Sequence, residues 1–273
     1  MNKDVDPPAE DDEVEASRAP LLEHLSELRV RLIRLVIVLA IGFIGCFIFA
    51  EPIYNFLLVP FEDAAARVRE SDLALELIFT APLEFFFVKV KLAFFGALIL
   101  AFPWAAYEIY SFVAPGLYRN ERGAFAPFLL GAPALFVAGM SFVYYFVLPF
   151  VMRFALGQEQ MGDGNGVSIQ LLTRVSDYLN LVTTLILAFG MSFQLPVLLM
   201  LLGGAGIVTS RQLISFWKFA LVGIFAFAAF VTPPDPISQM ILGSVLMALY
   251  AVSIAGVRMV EKRDKPDTAD AAS

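Results

Sequence analysis

Residues 21–50 read LLEHLSELRVRLIRLVIVLAIGFIGCFIFA, and this stretch decides the class of protein. Leu21, Leu25, Leu28, Leu32 and Leu35 recur at steps of four, three, four and three, which is one face of a helix. Glu23, Glu27, Arg31 and Arg34 form the opposite stripe, and Glu27–Arg31 is a favourable i,i+4 pair. From Leu35 to Ala50 no charge interrupts the apolar run. An interfacial amphipathic helix that enters a membrane span is the consequence. Composition agrees. Of 273 residues, 59% are hydrophobic and only 16% charged, and mean hydropathy is +0.76. Soluble domains carry about 25% charged residues.

Five more apolar stretches follow, at Leu83–Tyr107, Gly123–Met152, Tyr178–Leu202, Phe216–Val231 and Ile237–Val257. The predicted fold class is all-α, a polytopic membrane protein with six transmembrane helices. Lys89 and Lys91, near the start of the second, are placed to snorkel. The fifth is short against the ~20 residues that cross a bilayer, so local thinning is expected. Six crossings put both termini on one side. That side would hold 13 of the 19 basic residues if cytoplasmic, so the positive-inside bias predicts N-in, C-in.

Three regions are predicted. Residues 1–19 form a disordered acidic tail with seven acids, unlike the basic, then apolar, start of a signal peptide. Residues 20–258 form the six-helix domain, and 259–273 a cytoplasmic tail. The outer loop 51–82 carries Ala64, Ala65 and Ala66, which suggest a short helix lying on the surface.

Several function classes fall away. Net charge is −7, with no basic surface for nucleic acid. One cysteine (Cys46) and one histidine (His24) leave no disulfide, no thiolate or histidine metal site and no catalytic dyad, so neither an enzyme nor a cofactor is expected. A small-solute or ion transporter is the alternative. Against it, the third to sixth spans carry no mid-membrane charge.

The candidate chemistry lies at the inner surface. Glu27 is either a solvated residue paired with Arg31 or a recognition carboxylate. Arg29 falls on the apolar stripe beside Leu25 and Leu32, where it must reach headgroups or meet a carboxylate. Residues 107–122, YEIYSFVAPGLYRNER, set Phe112 and Glu121 in an aromatic loop facing water. That loop is either an interfacial belt or a docking surface. Gln194, ahead of Pro196 in the fourth span, suits hydrogen bonding within or between helices, and Met191 and Met200 offer an adaptable face for a partner helix. Asp235 reads as a cap for the sixth helix, with Gln239 one turn on.

These segments together resemble a known family. His24-Leu25-Ser26-Glu27-Leu28-Arg29-Val30-Arg31-Leu32 resembles the amino-terminal motif of the TatC family. Phe112 to Tyr118 with Glu121-Arg122 resembles its first cytoplasmic loop, and Thr232-Pro233-Pro234-Asp235 with Ser238-Gln239 its last outer hairpin. The resemblance implies a signal-peptide receptor of the twin-arginine translocase in the inner (plasma) membrane. That system exports folded proteins on the protonmotive force. The partners implied are twin-arginine signal peptides, single-span TatA- and TatB-type subunits, membrane lipid and further copies of the chain. By motif, Glu27 and Glu121 would accept the signal's guanidinium groups, with Arg29, Arg31 and Phe112 shaping the site. Pro60, Pro233, Pro234, Asp235 and Gln239 are implied to be structural, as hairpin residues. The family often has a glutamate where this chain has Gln194, and an amide cannot titrate.

Overall fold

The computed structural model describes residues 10–68, 77–117, 126–159, 171–231 and 236–263. Helix α1 (Glu10–Ile48) is followed at once by α2 (Ala50–Val68). Then come α3 (Glu84–Leu117), α4 (Ala126–Phe142), a π-helical turn (Val143–Val147) and α5 (Leu148–Leu156). The rest is α6 (Val175–Ser192), α7 (Leu195–Gly204), α8 (Ser210–Ser215), α9 (Trp217–Val231) and α10 (Pro236–Arg263). Five stretches are long and apolar enough to cross a membrane: Ser26–Ile48, Glu84–Ser111, Leu130–Leu156, Val175–Gly204 and Ser238–Glu261. The sixth, α9, has 15 residues, or ~22 Å of helix against ~30 Å of hydrocarbon. The all-helical polytopic fold is the expected one.

Several boundaries differ from those expected. Helix α1 begins at Glu10, inside the stretch read as an irregular tail. Helix α10 likewise runs to Arg263, five residues past the expected edge of the domain at 258. The second span does not end at Tyr107. Its helix continues to Leu117, so Phe112 and Pro115 are helical rather than in a loop.

The helix expected on the outer surface is α2, exposed on one face and packed into the core on the other. Leu57, Phe61, Ala64 and Ala65 fall on one helical face and are buried in the main core with Val147, Leu148 and Val151. Pro60 lies inside α2 rather than in a hairpin. Without an N–H it leaves the carbonyl of Phe56 with no helical donor. The Tyr144 hydroxyl, from the π turn, donates to that carbonyl at 2.8 Å, and the two rings stack with centroids 4.4 Å apart. Beside it Tyr178 donates to the carbonyl of Leu57 at 2.7 Å. On the same face Ile78 pairs with the backbone around Arg174, joining the two long connections. Lys89 sits over the Phe85 ring, and Lys91 donates to Asn180 rather than reaching for headgroups alone.

Helix α1 packs mainly on α3. Gly42 faces Ala97, and a Cβ on Gly96 would stand 2.7 Å from the Cys46 sulfur. Small residues thus bring the two backbones together, as suits a solvent with no hydrophobic drive between helices. Leu28 and Leu32 point outward, whereas Arg31 turns toward α3 and Leu35 is half-buried.

Candidate functional site

The start of the first span, midway along α1, meets the last turns of α3. Glu27 and Arg31 share a helical stripe one turn apart, and Arg34 follows three residues on. Arg31 Nη2 donates to Glu27 Oε1 at 2.6 Å. The same guanidinium crosses to α3, where Nη1 donates to the carbonyl of Glu108 at 2.8 Å and Nη2 to that of Ser111 at 3.4 Å. Ser111 needs such a donor because Pro115, four residues later, carries no N–H. A cation at the carboxyl end of a helix also meets the negative pole of its dipole.

Glu108 completes the cluster. Its side chain is only 8% exposed and faces Arg31 Nη1 and Arg34 Nη1, each at 3.8 Å. Those distances are ion pairing without a direct hydrogen bond. The Glu27 side chain is 47% exposed and Arg34 59%, so the cluster opens toward the surface on its α1 side. Among the described residues, no three side chains of metal-ligating type lie together.

The residues singled out from sequence fall into three groups. Glu27 and Arg31 are joined as the spacing predicts. Arg29 is exposed and lies outside this cluster. Phe112 stands on α3 one turn beyond Glu108. Glu121 lies outside the described residues, as do Pro233, Pro234 and Asp235. Gln239 bridges the last two spans, its Nε2 donating to the carbonyl of Phe225 at 3.2 Å.

Gln194 sits at a break in the fourth span, between α6 and α7, with Pro196 opening the second piece. Its Nε2 donates to the carbonyl of Ala132 on α4 at 2.9 Å, so it braces the third and fourth spans within the chain. Met191 is 65% exposed and faces outward. Met200 does not share that face, because its sulfur packs against Gly256 of α10.

Sequence reasoning missed Glu108 and Arg34. Glu108 lay unremarked between Tyr107 and Ile109 in a segment read as a loop. The available signal was its spacing, one helical turn before Phe112, once that segment is treated as helix.

Comparison with known proteins gives the family. A family model described as "Sec-independent protein translocase protein (TatC)" matches residues 23–244. The chain is similar to the "Sec-independent protein translocase protein TatC" of Magnetococcus marinus, 40% identical over 246 residues, covering 90% of this chain and 86% of that one. The TatC protein of Rickettsia prowazekii is 39% identical over 239 residues, covering 88% and 92%. A chloroplastic relative in Arabidopsis thaliana is 35% identical, covering 88% of this chain and 66% of its own. A solved structure, "Crystal Structure of Twin Arginine Translocase Receptor- TatC", superposes with a TM-score of 0.74 at 34% identity, covering 87% of this chain and 99% of that chain. On sequence and fold alike, the chain belongs to the TatC family of Sec-independent protein translocase proteins, as a multi-pass membrane subunit.

Proposed function

We propose that this chain is the receptor of a twin-arginine translocase and binds twin-arginine signal peptides where the first span begins in α1, beside the last turns of α3. One observation carries the proposal. An exposed carboxylate, Glu27, is held 2.6 Å from an arginine of its own chain, an ion pair that an incoming guanidinium can exchange with. The headgroup layer reduces guanidinium hydration, which favours a bidentate carboxylate partner over water. Glu121, from the segment after α3, supplies the second carboxylate by motif. Phe112, on the last turns of α3, offers an apolar support for the rest of the signal.

Loss of one charge-assisted pair costs ~1.5–3 kcal/mol, roughly ten- to a hundredfold in affinity. Glu27→Gln and Glu121→Gln should each weaken photocrosslinking to a twin-arginine signal in native membranes, with the protein still inserted. Unchanged binding by the double variant, to both twin-arginine and twin-lysine signals, would sink the proposal.

The orientation that serves this role puts both termini in the cytoplasm, with the protein in the inner membrane. The distribution of basic residues supports it. A cysteine at Lys265 should react with an impermeant thiol reagent only after the membrane is opened, and one at Arg67 before. The reverse order would invert the topology. Single-span TatA- and TatB-type subunits are the proposed partners, docking beside Met191 and Gln194, with further copies of the chain in the receptor complex.

A further inference from the structure

The charges at the α1/α3 seam include more than the recognition carboxylate needs. Among the described residues, Glu27, Arg31, Arg34 and Glu108 are drawn together, two acids against two bases. Arg31 is well used: its guanidinium holds Glu27 and two backbone carbonyls of α3. Arg34 meets only the rim of Glu108 and keeps 59% of its side chain exposed. It therefore adds positive charge near the site where a doubly positive peptide must arrive.

Glu108 is poorly suited to serve as a strut. Its carboxylate is 8% exposed and 3.8 Å from either arginine, beyond hydrogen-bond reach. A buried ion pair of that geometry regains little of its desolvation cost. The grip between the helices comes instead from Arg31 on the carbonyls and from the close Gly42–Ala97 and Gly96–Cys46 contacts. What the buried carboxylate does supply is one negative charge, placed on the helix that also carries Phe112.

We propose that Glu108 is a positioning residue that neutralises Arg34 and so sets the charge of the site for an arginine pair. This rests on the receptor reading of Glu27 above. Without Glu108 the cluster carries a net positive charge and repels the signal before Glu27 can engage it. With Glu108, Arg31 also has a second carboxylate to lean on when an incoming guanidinium takes its place at Glu27. The effect is one of charge and not of fork geometry, so it is the same for arginine and lysine signals and fades as salt screens it.

The test uses the full chain with its translocase partners in native membranes, and a signal peptide carrying a photocrosslinker. Glu108→Gln should lower crosslinking about three- to tenfold at low salt, for twin-arginine and twin-lysine signals alike. The double variant Glu108→Gln/Arg34→Gln should return to within about twofold of the unmodified chain. Arg34→Gln alone, at an exposed position, should raise binding, which keeps the test open even if Glu108→Gln reduces the amount of folded protein. A strut at Glu108 predicts the opposite pattern, in which the double variant is no better than the single. That pattern, or an Arg34→Gln variant that binds no better, overturns the inference. Glu27→Gln is run beside them. If it lowers binding while the Glu108 and Arg34 variants leave binding unchanged, only Glu108 was misassigned; if it too is silent, the receptor site itself is elsewhere and the inference falls with it.

Discussion

Pro60 in α2 and Pro115 in α3 pose the same problem at opposite faces of the molecule, and the chain answers with different chemistry. Each proline removes the N–H that a carbonyl four residues earlier would accept from. At Pro60 the stranded carbonyl of Phe56 takes a neutral phenol, Tyr144, whose ring is also stacked on Phe56. At Pro115 the carbonyl of Ser111 takes the guanidinium of Arg31, which is shared with Glu27 and the carbonyl of Glu108. The first solution is neutral, aromatic and part of the main core. The second is charged and opens to the surface through Glu27. A packed phenol holds one partner indefinitely, whereas a shared guanidinium can hand over one of its partners. Permanence suits the cap formed by α2, α5 and α6; exchange suits a binding face.

The largest effect that would test this contrast is on stability. Tyr144→Phe removes the donor to the Phe56 carbonyl, which Pro60 leaves without a helical one, at ~1–3 kcal/mol, and Tyr178→Phe removes a further bond to Leu57, whose carbonyl keeps its helical donor. The unfolding midpoint in nanodiscs should drop clearly, while signal binding per folded molecule stays the same. A fall in binding without a fall in midpoint would mean that the two faces are not divided as described.

A smaller, sharper effect concerns Pro60 itself. Pro60→Ala restores a backbone donor for Phe56, so Tyr144→Phe should cost less in that background. The coupling in a double-mutant cycle on stability should be ~1 kcal/mol. Additivity of the two changes would show that Tyr144 does not compensate for the proline.

The smallest effect belongs to the fourth span. Gln194→Leu loses the bond to Ala132, and interhelical hydrogen bonds within membranes average ~0.6 kcal/mol. The midpoint should fall slightly, and crosslinking of a single-span partner at Met191 should weaken. A lower midpoint with undiminished crosslinking would assign Gln194 to internal bracing alone.

Much of this was legible before any coordinates. The Leu35–Ala50 run, the positions of all six apolar stretches and the Glu27–Arg31 pair follow from hydropathy and from helical spacing, which are local properties. Helix ends were less legible, because a proline near a helix terminus reads as a stop. Helix α3 passes through Pro115 to Leu117, and Arg31 meets the carbonyl that the proline strands. Met200 shows the same limit: its face depended on the Gly256 contact, 56 positions away.

The sequence by itself determined that the chain spans a membrane, how often, and which family it resembles, because a run of apolar residues and a motif need no distant partner to be read. Only the tertiary structure decided that Leu28 and Leu32 of α1 point outward, that one face of α2 packs into the core, and that Glu108 lies against Arg31 and Arg34. The physical reason is the same in each case. A polar group in a membrane must find a partner wherever the fold brings one, and residues 31 and 108 meet across two helices that spacing along the chain cannot align.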